Sequence, residues 1–508
     1  MVFTLLGILS ACTTLGPDYQ PPQSPELEAW PPSLHGLGPD EAEQRRMELE
    51  FWWRIFDDPL LDRLIHIAVE NNRQLRAAGL RVLQARALRG LAAAGPYPQS
   101  RQASADFTYL NQRTHGGNGE GSGTSSSWSL GLSVGWELDF WGRFRRGIES
   151  ADATFFASLE AQHAMQVLVK AQVASLYFSW RILQARIDIA RKNARRQQRS
   201  YQIAEELFHS GNTSELDFQQ ARTQYLATLA AIPELELART RTLNALCVLL
   251  DRPPGDLPEL DSGPYELPLV ERVAVSGIPA RLLLRRPDIR ASAWAIAAQS
   301  AQIGIAEADL YPAITLLGSL GWSASSSHGA PDTGALAIGP SVRWNLFDQG
   351  LIRNNVRLQD AKLQELIEQY RDRVLQAAEE IDNAAISVVR TAEQTRILEQ
   401  TVRSAERSLE IANTSYREGY TGFQRVLDAQ RTLFAQNDRL VTTRGENLGY
   451  LIALYKGLGG GWSPAGLDDL APASTRERMK ARTDWGDLLD APLGPLPSPL
   501  PSAPNATP

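Results

Sequence analysis

The stretch WSLGLSVGWELDFWGRFRRG, residues 128–147, changes from a strand pattern to a helix pattern within a few residues. From Trp128 to Phe140, apolar residues alternate with small or acidic ones, which predicts a strand with one apolar and one polar face. A similar alternation runs from Leu336 to Leu346, 208 residues later. A long helical pattern follows each stretch, after Gly142 and after Gly350, so we interpret the chain as an internal duplication.

Each repeat is expected to contain a helix, a hairpin of two strands and two long helices joined at a glycine. In repeat one these are residues 59–94, strands 101–111 and 128–140, and helices 143–208 and 214–249; in repeat two they are residues 279–310, strands 313–323 and 336–346, and helices 350–417 and 423–458. The glycine-rich residues 116–123 lie between two strands and precede no helix, which favours a hairpin loop over a phosphate-binding loop.

The chain is divided accordingly. We expect a signal peptide over residues 1–11, a lipid-anchored, Pro-rich tether over 12–50, and a first repeat over 51–255. A linker over 256–278, a second repeat over 279–460 and a Pro-rich, disordered tail over 461–508 complete the chain. Pro233 predicts a kink or interruption within the second long helix of repeat one, and Cys247 is predicted to be a packed core residue.

The N-terminus carries an apolar run that ends in Leu9, Ser10, Ala11 and Cys12. This motif resembles the lipobox of bacterial lipoprotein precursors, in which the cysteine becomes the lipidated first residue. An unprocessed apolar N-terminus is the alternative. Because Thr13 rather than an aspartate follows the cysteine, the resemblance implies sorting to the outer membrane.

Composition excludes several classes of function. The net charge of -7 and the spread of 51 Lys and Arg residues argue against a nucleic-acid partner. Six scattered histidines and two cysteines predict neither a metal site nor a disulfide framework. The sequence contains no apolar run of about 20 residues, the length of a membrane-spanning helix. A membrane crossing would therefore use the strands.

The long helices are predicted to pack against neighbours. A helix of about 65 residues is roughly 100 Å long, and the second repeat carries a heptad seam typical of coiled coils: Leu363, Ile367, Tyr370, Val374, Ala377, Ile381, Ala384 and Val388. A periplasmic structural coiled-coil lipoprotein would explain these helices but not the two-faced strands. Four strands cannot close into a barrel, whereas three chains would supply twelve. We therefore expect a homotrimer.

Several motifs resemble those of one family. They are the lipobox followed by GPDY at residues 16–19, DPLLDRLI at 58–65, PDIR at 287–290, AEADLYP at 306–312 and the paired glycine breaks. Over residues 10–460 the chain resembles the TolC-like outer membrane factors, in particular the lipoprotein branch of OprM and NodT type that serves resistance-nodulation-division efflux pumps.

The resemblance implies an α+β membrane protein with the TolC-like fold. Four transmembrane β-strands per chain would form a twelve-stranded barrel as a trimer, continuous with long antiparallel helices that form a periplasmic α-barrel. The implied partners are outer membrane lipid, a periplasmic adaptor (membrane fusion) protein and an inner-membrane resistance-nodulation-division pump. The chain would be a passive exit duct for drugs or other small solutes, without a cofactor and without catalysis. An exit duct for type I protein secretion is an alternative with the same fold.

The resemblance also implies where the functional residues lie. The hairpin tips that contact the adaptor would contain Gly211, Asn212 and Thr213 in repeat one, and Gly419, Tyr420 and Thr421 in repeat two. Asp428 would form a carboxylate ring at the periplasmic aperture, where Arg425 either pairs with it locally or partly neutralises the ring. Asp217 and Tyr416 would hold the closed state.

Helix capping gives several of these residues a second, structural role. Ser214 with Asp217, and Thr421 with Gln424, fit capping boxes that start the returning helices. The repeat-one position that matches Asp428 is Gln220. Only one hairpin of each chain would therefore contribute a carboxylate to the ring.

Overall fold

The computed structural model describes residues 13–23, 49–114, 121–262, 267–268, 283–326, 331–494 and 497. Its first half contains helices α1 (Pro59–Asn71) and α2 (Arg73–Ala93), strands β1 (Ser100–Thr114) and β2 (Gly121–Glu137), and helices α3 (Arg143–His209) and α4 (Glu215–Leu249). Its second half contains α5 (Pro287–Ala308), β3 (Ala313–Ser325), β4 (Thr333–Arg343), α6 (Leu351–Arg417) and α7 (Gln424–Gly457), followed by α8 (Leu467–Leu470) and α9 (Ala473–Arg482).

The four strands form one antiparallel sheet in the order β1-β2-β3-β4. Residues paired across neighbouring strands share a face, so the register collects the large apolar side chains on one side. That face is exposed in the single chain and includes Phe107, Trp128, Leu130, Leu132, Leu320, Trp322, Leu336 and Ile338. The predicted two-faced strands are thus confirmed. None of the helices that the structure describes is both long and apolar enough to cross a membrane.

The long helices form a row below the sheet. In the half farther from the strands the order of packing is α4, α3, α7, α6, while nearer the strands α2 and α5 take the places of α4 and α7 beside α3. Both α3 and α6 have 67 residues, about 100 Å at the rise of an α-helix. The heptad seam of α6 is buried from Tyr370 onward, with Tyr370, Val374 and Ala377 each 1% exposed, while Leu363 and Ile367 at its start are partly buried.

The largest core cluster lies about halfway along the row. It joins Trp52 and Phe56 of a short 3-10 helix to α1, α3, α4 and α7. Cys247 is fully buried in this cluster, which confirms its predicted role as a packed core residue. Helices α4 and α7 both end at this core. The core therefore fixes the axial position of the α3–α4 hairpin relative to the α6–α7 hairpin.

Three helix predictions differ in detail from the structure. The helix predicted over residues 59–94 is interrupted at Asn72, whose side chain caps α2 by accepting hydrogen bonds from the backbone of Gln74 and Leu75. Of the kink or interruption predicted at Pro233, the interruption is absent, because α4 continues through this residue. In repeat two the predicted start at Pro279 lies outside the described residues, and the described chain is not helical at residues 284–286. A helix begins at Pro287, since Arg286 is the N-cap residue and proline suits the first helical turn.

Strands β2 and β4 begin and end earlier than predicted. The prediction carried them through Phe140 and Leu346, whereas β2 ends at Glu137 and β4 ends at Arg343. Beyond β2, the carboxylate of Asp139 accepts hydrogen bonds from the backbone of Phe144 and Arg145 in the first turn of α3. The apolar alternation therefore continues into the turn that caps the helix.

The prediction of a disordered tail is wrong for residues 462–494. Helices α8 and α9 pack against α2 and α3, and Leu470, Met479 and Leu489 are buried there. Gly79 allows the close approach, since a Cβ at this position would lie 2.1 Å from the carbonyl oxygen of Leu470. A few spaced apolar residues are enough to hold this segment in place. Its high proline content had led to the prediction of disorder.

Candidate functional site

The two hairpin tips have the same backbone. Gly211 and Gly419 adopt φ angles of 74° and 80°, a conformation that suits glycine because it has no Cβ. At each tip two backbone hydrogen bonds close the end of the long helix, from Gly211 and Asn212 in repeat one and from Gly419 and Tyr420 in repeat two. This pattern is the Schellman motif, and it reverses the chain about 100 Å from the strands.

The capping residues of the two tips differ. In repeat one Ser214 is the N-cap of α4, and its hydroxyl accepts a hydrogen bond from the backbone of Asp217. The carboxylate of Asp217 in turn accepts from the hydroxyls of Thr213 and Ser214, each at 2.9 Å. The predicted Ser–Asp capping pair is therefore present, although the carboxylate binds hydroxyl groups rather than the Ser214 backbone.

The capping box predicted for repeat two is wrong. Phe423 is the N-cap of α7, and its side chain makes no capping hydrogen bond. The amide of Gln424 donates to Asp428 instead, at 3.1 Å. Phe423 is 3% exposed and anchors this end by packing, which displaces Thr421 from the capping position. Among the described residues, the buried hydroxyl of Thr421 has no hydrogen-bond partner.

The structure brings Asp217 and Tyr416 together across the two hairpins of one chain. Tyr416 is half-buried, and its ring lies 5.1 Å from that of Phe423. Burial, and secondarily the negative charge of Asp217, raise the pKa of the Tyr416 hydroxyl. The tyrosine thus stays neutral around neutral pH, where its hydroxyl can donate a hydrogen bond towards an acceptor.

Asp428 and Arg425 are exposed on the first turns of α7. The local ion pair weighed for them is not present in the described part of the chain, where Asp428 accepts its hydrogen bond from Gln424. The carboxyl group of Asp428 is therefore exposed at the surface near the tip. Cys12, the predicted lipidation site, lies outside the described residues.

A shared core fixes the two tips relative to each other. Ala204 and Ala221 of repeat one pack with Val402, Phe423, Val426 and Leu427 of repeat two, and Gln430 donates to the Ser200 hydroxyl at 2.8 Å. Sequence reasoning missed Phe423 as the anchor of the second tip. The available signal was the apolar pair Phe423 and Leu427, whose spacing of four residues places both on one face at the start of the helix.

The N-terminal segment is positioned at the junction of sheet and helices. The guanidinium of Arg146 is buried and donates to the carbonyl oxygens of Leu15 and Gly16 and to the carboxylate of Asp18. The backbone of Leu15 donates to Trp141, immediately before α3. The described part of the predicted tether, residues 13–23, is therefore packed against the body of the protein.

Comparison with known proteins gives consistent matches. The family model described as outer membrane efflux protein matches residues 64–251 and 278–460. The toluene efflux pump outer membrane protein TtgF of Pseudomonas putida is 31% identical over 464 residues, which cover 89% of this chain and 95% of the relative. The probable outer membrane lipoprotein SilC of Salmonella typhimurium is 30% identical over 462 residues, covering 90% and 97%.

Solved structures agree with these matches. The outer-membrane channel OprN has a TM-score of 0.75 and 33% identity, with 88% of this chain and 99% of that chain covered. A structure of CusC has a TM-score of 0.76 and 28% identity, with 88% and 100% covered. The chain therefore belongs to the outer membrane efflux protein family, has its TolC-like fold, and is the outer-membrane channel component of a tripartite efflux pump that extends into the periplasm.

Proposed function

We propose that three copies of the chain assemble into one passive exit duct. The observation that carries this proposal is the four-stranded sheet, which exposes a large apolar face and leaves β1 and β4 as open edges in the single chain. An open edge in lipid leaves backbone N–H and C=O groups without partners. Pairing β4 of one copy with β1 of the next, three times, satisfies both edges in a closed sheet of about twelve strands.

The helices support the same assembly. In the half farther from the strands the row ends in α4 on one side and α6 on the other, and both helices carry exposed apolar residues there, such as Leu226 and Leu237 on α4 and Ile397 on α6. Joining α6 of one copy to α4 of the next would bury these residues and continue the row into a tube. The row then extends the duct from the membrane into the periplasm.

The proposed partners follow from this geometry and from the family. The tips that contain Gly211 to Thr213 and Gly419 to Thr421 point away from the strands, and we assign them to a periplasmic adaptor that connects the duct to an inner-membrane resistance-nodulation-division pump. Relatives are named for efflux of toluene, solvents and cations. Small solutes are accordingly the proposed cargo, ahead of secreted proteins.

The tips supply the proposed gate. Tyr416 and Asp217 hold the two hairpins of a chain together, and Asp428 contributes one carboxylate per copy to a ring around the threefold axis. Such a ring favours cations, while the exposed guanidinium of Arg425 partly neutralises it. Lipidation of Cys12 would anchor the chain beside the sheet, because residues 13–23 are fixed at the junction of sheet and helices.

The chain itself would catalyse nothing. Energy for transport would come from the inner-membrane pump. The chain would only form the duct through which the solutes leave.

The assembly is tested by purifying the protein from detergent-solubilised outer membranes, measuring its mass and recording its conductance in planar lipid bilayers. We expect the mass of three chains and discrete channel currents. A monomeric or non-conducting product would contradict the proposal. If a pump of the type I secretion class copurifies instead, the cargo is proteins rather than small solutes.

The carboxylate ring is tested in the same bilayers. Asp428→Ala is expected to lower the cation-to-anion permeability ratio severalfold, because three carboxylates are lost from the aperture. Gln220→Ala, at the matching position of repeat one, is the control and should leave the ratio unchanged. An unchanged ratio in Asp428→Ala would show that the carboxylates do not line the aperture.

A further inference from the structure

The two long helices carry very different charge at matching positions near their tips. Residues 191–203 of α3 contain five cations and no acidic residue, whereas residues 399–411 of α6, 208 positions later, contain two cations and three acids. The backbone of the two segments is helical throughout. The fold therefore tolerates either pattern, and the concentration of cations in repeat one is not required by it.

Four of these cations form one exposed stripe. Lys192, Arg195, Arg196 and Arg199 follow the spacing i, i+3, i+4, i+7, which places them on a single helix face, and all four are exposed. Ile203, four residues further, extends this face and is 49% exposed. We call Lys192, Arg195, Arg196, Arg199 and Ile203 the basic stripe.

The basic stripe lacks acidic partners in the part of the chain that the structure describes. Arg191, beside the stripe, is paired with Glu236 at 2.7 Å, but no ion pair involves the four stripe cations. The opposing segment of α4, residues 219–233, contains no acidic residue. Asp188 and Glu206 lie beyond the two ends of the stripe, where Asp188 accepts a hydrogen bond from Gln184.

Repeat two neutralises the corresponding face. Arg407 pairs with Glu410 at 2.6 Å, while the repeat-one residue that matches Glu410 is Gln202. Glu406 similarly matches Gln198. Like charges three and four residues apart repel each other on a helix, so the basic stripe destabilises the isolated chain slightly and is explained by an external anionic partner.

The position of α3 in the row indicates where that partner lies. In this half of the row α3 has α4 on one side and α7 on the other, so no third helix of a second copy can pack beside it. The face of α3 opposite the stripe is closed, with Asn193 8% and Gln197 1% exposed. If the proposed duct closes with this covered face inward, the stripe lies on its outer surface.

We propose that the basic stripe is a docking surface for an acidic, amphipathic helical segment of the periplasmic adaptor, and this inference rests on the proposed function. The four cations attract carboxylates, which accelerates encounter and fixes orientation, while Ile203 contacts the apolar side of the segment. Arg199 and Lys192 are 12 and 19 residues from Gly211, about 18 and 29 Å along the helix. The adaptor would thus contact the outside of the duct well above its tip, on repeat one only.

The test uses photocrosslinking in cells that contain the complete pump. A benzophenone amino acid replaces Ile203, and in a matched control it replaces Ile411, which is 51% exposed at the corresponding position of repeat two. Crosslinked adducts are isolated under denaturing conditions and sequenced by mass spectrometry. We expect an adduct at position 203 with an acidic helical segment of the adaptor, and at least about tenfold less of it at position 411, since local charge complementarity drives this contact.

Two variants test the charge. The combination Lys192→Gln, Arg196→Ser, Gln198→Glu and Gln202→Glu gives repeat one the residues of repeat two, which the fold already accommodates. Lys192→Gln, Arg195→Gln, Arg196→Gln and Arg199→Gln removes the charge without adding acids. Both should reduce the adduct at position 203 about tenfold, and so should about 0.5 M salt in isolated membranes, where exposed charges are screened. Arg403→Gln with Arg407→Gln is the control and should leave the adduct unchanged.

Several results would overturn the inference. They are the absence of an adduct at position 203 in assembled pumps, an adduct with a neutral or basic segment, and an adduct that survives both variants. A change of ion selectivity without loss of the adduct would place the stripe in the lumen and contradict its outer position. Mass and conductance separate the two proposals, because a conducting trimer without the adduct refutes only the docking surface, whereas a non-conducting monomer refutes the duct.

Discussion

The two repeats share a backbone but differ in their side chains. Helices α3 and α6 have the same length, and the glycines that end them have nearly the same φ. Yet Lys170 and Arg181, both buried on α3, correspond to Ala378 and Val389 on α6. The difference follows from the surroundings, because α3 has neighbours on both sides along its whole length whereas α6 lies at the edge of the row. Duplication preserved the hairpin geometry, and the environment of each copy selected its side chains.

The largest loss of stability should come from the ion pair between Asp58 and Arg181 of repeat one, in which both side chains are buried. The carboxylate of Asp58 accepts hydrogen bonds from Arg181 at 2.6 Å and from Tyr177 at 2.7 Å, and it also caps α1. Asp58→Ala removes the carboxylate that neutralises the buried guanidinium of Arg181, which costs about 3–5 kcal/mol. Thermal unfolding in detergent measures this loss.

The matched control is an exposed pair of repeat two, Arg390 and Glu393. Arg390→Ala should change the free energy of unfolding by less than about 1 kcal/mol, since surface ion pairs contribute little. Equal effects of the two substitutions would show that burial does not distinguish the repeats.

A smaller change in the free energy of unfolding, of opposite sign, is expected when Lys170 is replaced. Burial lowers the pKa of this ammonium to about 8, although Glu50 and Asp469 partly oppose the shift. Lys170→Met should stabilise the protein at pH 7 by about 1–3 kcal/mol, because a buried charge is removed and the volume is kept. Unfolding curves of both proteins at pH 7 provide the measurement.

The pH dependence of this effect has a defined sign. Because the pKa is lower in the folded chain, the unfolded chain binds more protons between about pH 8 and the ordinary lysine value of 10.5, and the stability of the wild type rises over this window. The advantage of Lys170→Met should shrink accordingly. Lys362→Met, on an exposed position of α6, should show neither effect, and a constant advantage across the window would rule out a buried charge at Lys170.

The smallest losses of stability are expected at the tip glycines, and they should be equal in the two repeats. Gly211→Ala and Gly419→Ala each place a Cβ on a left-handed residue with no atom within 4 Å, so only the backbone conformation is penalised, by about 1–2 kcal/mol. Gly422→Ala, which has open space and no positive φ, is the control and should be nearly neutral. Unequal losses at the two tips, measured by thermal unfolding, would contradict the equivalence of their backbones.

Local sequence patterns predicted the elements better than their ends and contacts. The alternation around Trp128 located β2, but the helix cap at Asp139 ended the strand earlier than the apolar pattern suggested. Ser214 identified the start of α4, whereas Phe423 took the place of the capping box expected at Thr421. At both places a capping or packing contact, rather than the sequence pattern, decided where the element begins or ends.

By itself the sequence determined the duplication, the two-faced strands, the long helices and the glycines that reverse them, because each depends on residues close together in the chain. Only the tertiary structure decided which helices are neighbours, that the tail from residue 462 packs on α2, and that Asp217 approaches Tyr416. These contacts join residues far apart in the chain, and their energies depend on burial and on facing side chains. Periodicity along one segment does not show how deeply a residue is buried or which side chain faces it.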